Sequence, residues 1–250
     1  GPLIALQYHE VKINILWNDN ALISGDFTAA NNLPPPEQAA LYIDYIYLDT
    51  EERRRMAQAS HEYLIEQTQY NEDKGIVGAN NRIDLTFNHP VKELIWVVQP
   101  ATYTDCRIAA GAGFTRLQPF TYNLNAVFEQ WIQINGQDRL DRRYGSYFSK
   151  VQPYQHHSGV LPNSSGMGGG AYSYSFAIRP EEHQPSGTCN FSRIDTATIV
   201  MNMAGVDYVD AGNPDFNKTP DYNNWNVRVY AVNYNVLRVM SGMGGLAYSN

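Results

Sequence analysis

Two hundred and fifty residues carry a formal charge of −7 and only 17% charged side chains, with Gly, Pro, Tyr and Asn plentiful. That acidic balance excludes the basic face a nucleic-acid binder needs, since the one dense basic run, Arg53 to Arg55, directly follows Glu51 and Glu52 as in a mixed-charge helix turn. No run of 18 apolar residues spans a membrane as a helix, no charged and apolar leader marks a secretory signal, and two cysteines, Cys106 and Cys189, allow at most one bridge and suit a reducing compartment.

Period-2 alternation dominates the chain. Val11, Ile13, Ile15 and Trp17 share one strand face, with Lys12 and Asn14 opposite. Leu41 to Leu48 is apolar on both faces apart from Asp44, which predicts a strand covered from both sides. Asp49 followed by Glu52 makes a capping box and opens a short helix through about Ala59. Ile83, Leu85 and Phe87 alternate with Asp84 and Thr86, and Glu93 to Gln99 reads as a buried strand with polar ends. Phe128, Gln130, Ile132 and Ile134 lead into Asn135-Gly136, a dipeptide suited to a type I′ hairpin because both central positions need positive φ.

Further on, Tyr147 to His157 has room for a turn or two of helix, and Asn163 to Ala171 is a Gly- and Ser-rich loop. Tyr172, Tyr174, Phe176 and Ile178 form one alternating set, and Ala197, Ile199, Met201 and Met203 another. Gly205 to Asn224, rich in Asp, Asn and Pro, reads as a long surface loop before a last strand over about Asn226 to Met240. At least eight strands joined by Gly- and Pro-bearing loops predict an all-β sandwich or jelly roll with few short helices.

Candidate chemistry is sparse. His156 and His157 are adjacent, so on a strand they would diverge, and no His-x-His occurs. His9, His61, His89 and His183 are isolated, without metal-ligand spacing. No G-x-S-x-G elbow is present, and Gly168 to Gly170 is not followed by Lys-Ser or Lys-Thr. Asp207, Asp210 and Asp215 share a loop without EF-hand spacing. Trp17, Trp96 and Trp131 lie in strand patterns and read as core or interface, while Trp225 with Tyr208, Tyr222 and Tyr230 could stack on a sugar or equally serve as a trimer contact or loop anchor. Sequons stand at Asn163, Asn190 and Asn217. No catalytic, cofactor or metal residue is predicted.

Four blocks resemble the major capsid proteins of nucleocytoplasmic large DNA viruses, and they occur in that family's order. They are PLIALQYHEVKI from Pro2, DYIYLDTEERRRMAQASHEYLIEQTQ from Asp44, PSGTCNFSRID from Pro185, and YAVNYNVLRVMSGMGGLAYSN from Tyr230. The resemblance implies a double jelly roll: residues 1–57 would be the last strands of an incomplete first roll plus a linker helix, and 58–250 the complete C-terminal roll. It further implies a non-enzymatic structural protein that homotrimerises into pseudo-hexameric capsomers of an icosahedral virion shell, assembled in the host cytoplasm. Implied partners are copies of itself, neighbouring capsomers and minor capsid or cement proteins, with no nucleic acid bound directly and room for an internal viral membrane beneath the shell. A carbohydrate-binding β-sandwich, like a viral surface lectin, is the alternative, and a jelly-roll metalloenzyme with three converging ligands a third reading.

Overall fold

A computed structural model describes residues 2–16, 40–100, 127–159, 171–203 and 225–249. The chain divides into two compact units, Gly1–Ile65 with Asn235–Asn250, and Glu66–Tyr234. Eleven strands are present among the described residues: β1 (His61–Ile76), β2 (Asn80–Asp84), β3 (Pro90–Pro100), β4 (Val127–Ile134), β5 (Gln137–Asp138), β6 (Arg143–Tyr144), β7 (Ala171–Ser175), β8 (Cys189–Asn190), β9 (Ala197–Met203), β10 (Trp225–Met240) and β11 (Met243–Leu246). One sheet runs β1-β10-β3-β7, with β8 on β3 and β11 on β10; the other runs β2-β9-β4-β5, with β6 on β4. This is the predicted β-sandwich.

Alternation builds the core of the larger unit. Leu94, Trp96 and Val98 of β3 join Val227, Val229 and Ala231 of β10 and Tyr172 of β7 in one buried cluster with Ile83, Ile132, Ile199 and Met201 from the second sheet. Each large side chain so buried contributes about 1.5–3 kcal/mol. The Trp96 Nε1–H donates to Gln130 Oε1 at 3.0 Å, and the Val127 N–H donates to the Tyr172 hydroxyl oxygen at 3.3 Å, so polar groups inside the sandwich bridge the two sheets.

Turn chemistry sets register. Asn135 and Gly136 adopt φ of 50° and 76°, so β4 turns directly into β5 with Ile134 opposite Gln137, as a type I′ hairpin requires. Asn135 Oδ1 also accepts from the Asp195 and Thr196 amides, tying the hairpin to the start of β9. A bulge between Val127 and Glu129 changes one expectation: Phe128, which strict alternation places beside Gln130 and Ile132, turns outward onto Tyr144 at 5.3 Å, and Val127 takes the core position. Strand β7 stops at Ser175 because its hydroxyl donates to the Ala177 carbonyl and accepts from the Ala177 amide, leaving Ile178 exposed beyond the ladder.

In the smaller unit, helix α1 (Thr50–Gln58) starts as predicted, with Asp49 accepting the Glu52 amide at 2.8 Å. A 3-10 turn at Leu3–Ala5 precedes Tyr8, whose N–H donates to the Gly242 carbonyl at 2.9 Å. Ser241 and Gly242, at φ 54° and 81°, turn β10 into β11, and a Cβ on Gly242 would collide with the Tyr8 ring. Two predicted strands are corrected here. Residues 11–16 and 40–48 form no ladder among the described residues, and they are mostly exposed. Alternation makes a strand only where a partner supplies hydrogen bonds, and no described residue pairs with either segment.

Candidate functional site

The histidines lie on separate segments, apart from the adjacent His156 and His157. The Gly244 amide donates to His9 Nδ1 at 3.1 Å, and His61 Nε2 lies 2.7 Å from the Met56 carbonyl. His89 is buried with a positive φ of 66°, its amide donating to Ser192 Oγ at 2.8 Å. Among the described residues no group of three or more His, Cys, Asp or Glu side chains could hold a metal ion.

Two neighbouring residues of β3 in the larger unit each belong to a charge cluster. Lys92, almost wholly buried, places Nζ 2.7 Å from Glu66 Oε1 and 5.5 Å from the centre of the Tyr234 ring, while exposed His183 lies 3.5 Å from the same carboxylate. The second cluster centres on His157, which follows helix α2 (Gln152–His156); α2 itself continues a π-helical turn at Tyr147–Val151. Both ring nitrogens of His157 face acids: Nε2 is 3.1 Å from Glu93 Oε2, and Nδ1 is 3.3 Å from Glu181 Oε1. The Glu93 contact has ion-pair distance but lies off the hydrogen-bond axis, so both of its atoms lack an aligned partner. The Glu93 carboxylate holds the His157 pKa above its ordinary value against burial, which pulls it down, with Glu181 adding to the rise. His156 turns away, Nδ1 lying 3.0 Å from the Ile178 carbonyl. Sequence spacing missed this cluster because its three members come from three separate elements.

Trp96, Trp131 and Trp225 are buried, and Tyr230 tilts against Tyr70 at 5.2 Å, so the described part of the sugar-stacking patch lacks an exposed indole. Trp131 is covered by the Arg142 guanidinium, 4.5 Å from the ring centre. Asn190 is exposed, and its side chain accepts the Ser192 amide at 3.1 Å. Cys189 is free and half-buried, with burial raising its thiol pKa. Trp17, Cys106, Asn163, Gly168 to Gly170, Tyr208, Asp207, Asp210, Asp215, Asn217 and Tyr222 lie outside the described residues.

What stands out is apolar surface. Ile13 and Ile15 are 63% and 60% exposed, in a segment that alternates, and Ile43 and Ile46 are 53% and 88% exposed, in a segment apolar on both faces. Uncovered apolar segments of this kind leave unpaired backbone and apolar side chains together at the surface. The site is a set of faces, without a convergent catalytic constellation among the described residues.

Comparison with known proteins agrees. The sequence profile described as large eukaryotic DNA virus major capsid protein matches residues 52–245, and that of the major capsid protein N-terminus matches residues 2–49. The chain is similar to the major capsid protein of Pyramimonas orientalis virus, 48% identical across all of this chain and 57% of the relative, and to that of Paramecium bursaria Chlorella virus 1, 42% identical across all of this chain and 63% of the relative. A crystal structure of PBCV-1 VP54, fitted into a reconstruction of the virophage Sputnik, superposes with a TM-score of 0.66 at 41% identity, covering 82% of this chain and 56% of that one. The Faustovirus major capsid protein shares the fold, with a TM-score of 0.52 at 14% identity over 77% of this chain and 36% of that one. The chain spans less than two thirds of the length of these curated relatives. With one profile covering most of its length and a second meeting it at helix α1, this chain, a jelly-roll β-sandwich, belongs to the large eukaryotic DNA virus major capsid protein family, a family of structural and not enzymatic proteins.

Proposed function

We propose that this chain is the shell-building C-terminal portion of a major capsid protein, working in the virion through its surfaces. Residues 1–57 are the last strands of a first jelly roll plus its linker helix, and 58–250 are the second roll. The observation that carries this reading is the pair of exposed apolar segments, 11–16 and 40–48, lying within the span matched by the N-terminal profile. The alternation of the first and the two apolar faces of the second suit strands of a sheet that the rest of a first roll would complete. Two rolls per subunit and three subunits per capsomer give six lobes, and a three-fold ring uses three equivalent heterologous interfaces. Neighbouring capsomers, and minor or cement proteins, meet the outer faces of that ring in the shell.

Sedimentation of the full-length protein tests the assembly. A trimer at micromolar concentration is expected, and a strictly monomeric species would overturn it.

A further inference from the structure

We propose that a proton on His157 clasps helix α2 and the loop around Glu181 onto strand β3, so that this corner of the sandwich loosens as pH rises. The inference concerns the larger unit alone and does not depend on the assembly just proposed.

The geometry carries it. The His157 side chain is only 10% exposed, and its two ring nitrogens face two different carboxylates, Glu93 from β3 and Glu181 from the loop. A carboxylate only accepts, and a neutral imidazole has one N–H and one lone pair. Neutral His157 therefore sets a lone pair against one of the two acids, whereas the imidazolium donates toward both. Glu93 is 8% exposed and Glu181 42% exposed. Removing the proton from Nε2 would turn a lone pair toward the more deeply buried carboxylate, so the neutral ring keeps that proton and gives up the contact with Glu181.

The loop has few other holds on α2. Glu181 Oε2 accepts the Ser158 amide at 2.8 Å, and the Ile178 carbonyl meets His156 Nδ1 at 3.0 Å. Other charges nearby are committed elsewhere: Arg179 pairs with Glu182 at 3.3 Å in the same loop, and Lys92, next to Glu93 along β3, pairs with Glu66. On α2 itself the other titratable rings are Tyr154 and His156. The direction follows from the raised His157 pKa. A proton bound more tightly in the folded corner gives stabilisation that is complete below the ordinary value of about 6.5 and is lost as pH climbs through the raised one.

Hydrogen exchange of the full-length protein reads the clasp directly, with each peptide's rate normalised to an unstructured reference. Protection of the Ser158, Ile178, Arg179, Glu181 and Glu182 amides should fall about tenfold or more between about pH 6 and about pH 9, while β3 and β10 stay protected. In His157→Gln the same amides should be weakly protected at both values, with no pH step. An unchanged wild-type profile overturns the proposal, and so does a variant that keeps the wild-type step. Glu181→Gln, at a more exposed position, serves as the second variant and decides the matter if His157→Gln does not fold. Its step should move to lower pH, and a step left in place would also overturn the clasp.

Discussion

Trp96 and Gln130 reach each other from facing sheets, indole N–H to amide oxygen at 3.0 Å, both without solvent contact. Among the described residues the Gln130 Nε2 has no aligned partner, so this one bond is all that they offer a buried amide. Removing one side strands the other. Trp96→Phe should cost about 1–3 kcal/mol beyond the lost ring volume, and Gln130→Met about 1–3 kcal/mol for the orphaned indole N–H. The double variant leaves no orphan and should recover about 1–2 kcal/mol relative to the sum of the two. Chemical denaturation of the four proteins gives the cycle, and strict additivity would mean that the bond contributes nothing. Alternation alone makes Trp96 a core residue, but its polar partner lies on another sheet and is invisible to any local pattern. The same limit hid His157, whose acids arrive from β3 and from a loop beyond β7.

Strands that bury apolar side chains were legible: β3, β4, β9 and β10 fall where alternation or continuous apolar runs put them, and the Asn-Gly turn fixes β4 against β5. Strand β1 was not. Its sequence, HEYLIEQTQYNEDKGI, shows no clear apolar face because it lies at the end of its sheet and meets β10 partly through polar side chains. Arg228 on β10 places Nε 2.9 Å from Glu72 Oε1, and Arg238 places Nη2 2.7 Å from Glu62 Oε1. Burial pushes the Glu72 pKa upward, but hydrogen bonds from Arg228, Lys74 and Tyr70 outweigh it and leave the carboxyl below its usual value. A carboxyl depressed in the folded state stabilises above its unfolded value and loses that contribution as pH falls through the folded one. Arg228→Met should therefore lower the denaturation midpoint at neutral pH, and the gap from wild type should close below about pH 4. A gap that persists undiminished at low pH would show that packing of the Arg228 stem, and not its charge, holds β1 to β10.

For the whole molecule, alternation at 11–16 and the apolar run at 41–48 predict strands, and neither segment forms a ladder here, because a ladder needs a second strand that no described residue provides. Sequence reports what a segment can pair with; the partner decides whether it does. The proposed first roll makes that partner testable through Ile13 and Ile43, which are 63% and 53% exposed in this chain. With the first roll complete, both side chains go under a neighbouring sheet, each contributing about 1.5–3 kcal/mol of burial that a lysine forfeits. Ile13→Lys and Ile43→Lys should then act oppositely in two contexts. In this chain alone each should raise solubility, since a charge on an uncovered edge blocks pairing with other molecules. In the full-length protein each should lower the melting temperature, by about 2–4 °C per kcal/mol for a domain of this size. Thermal melts of the longer protein decide between covered and free segments. Melting temperatures unchanged by both lysines would mean that the two segments stay uncovered there too, and that the boundary near residue 57 does not separate two rolls.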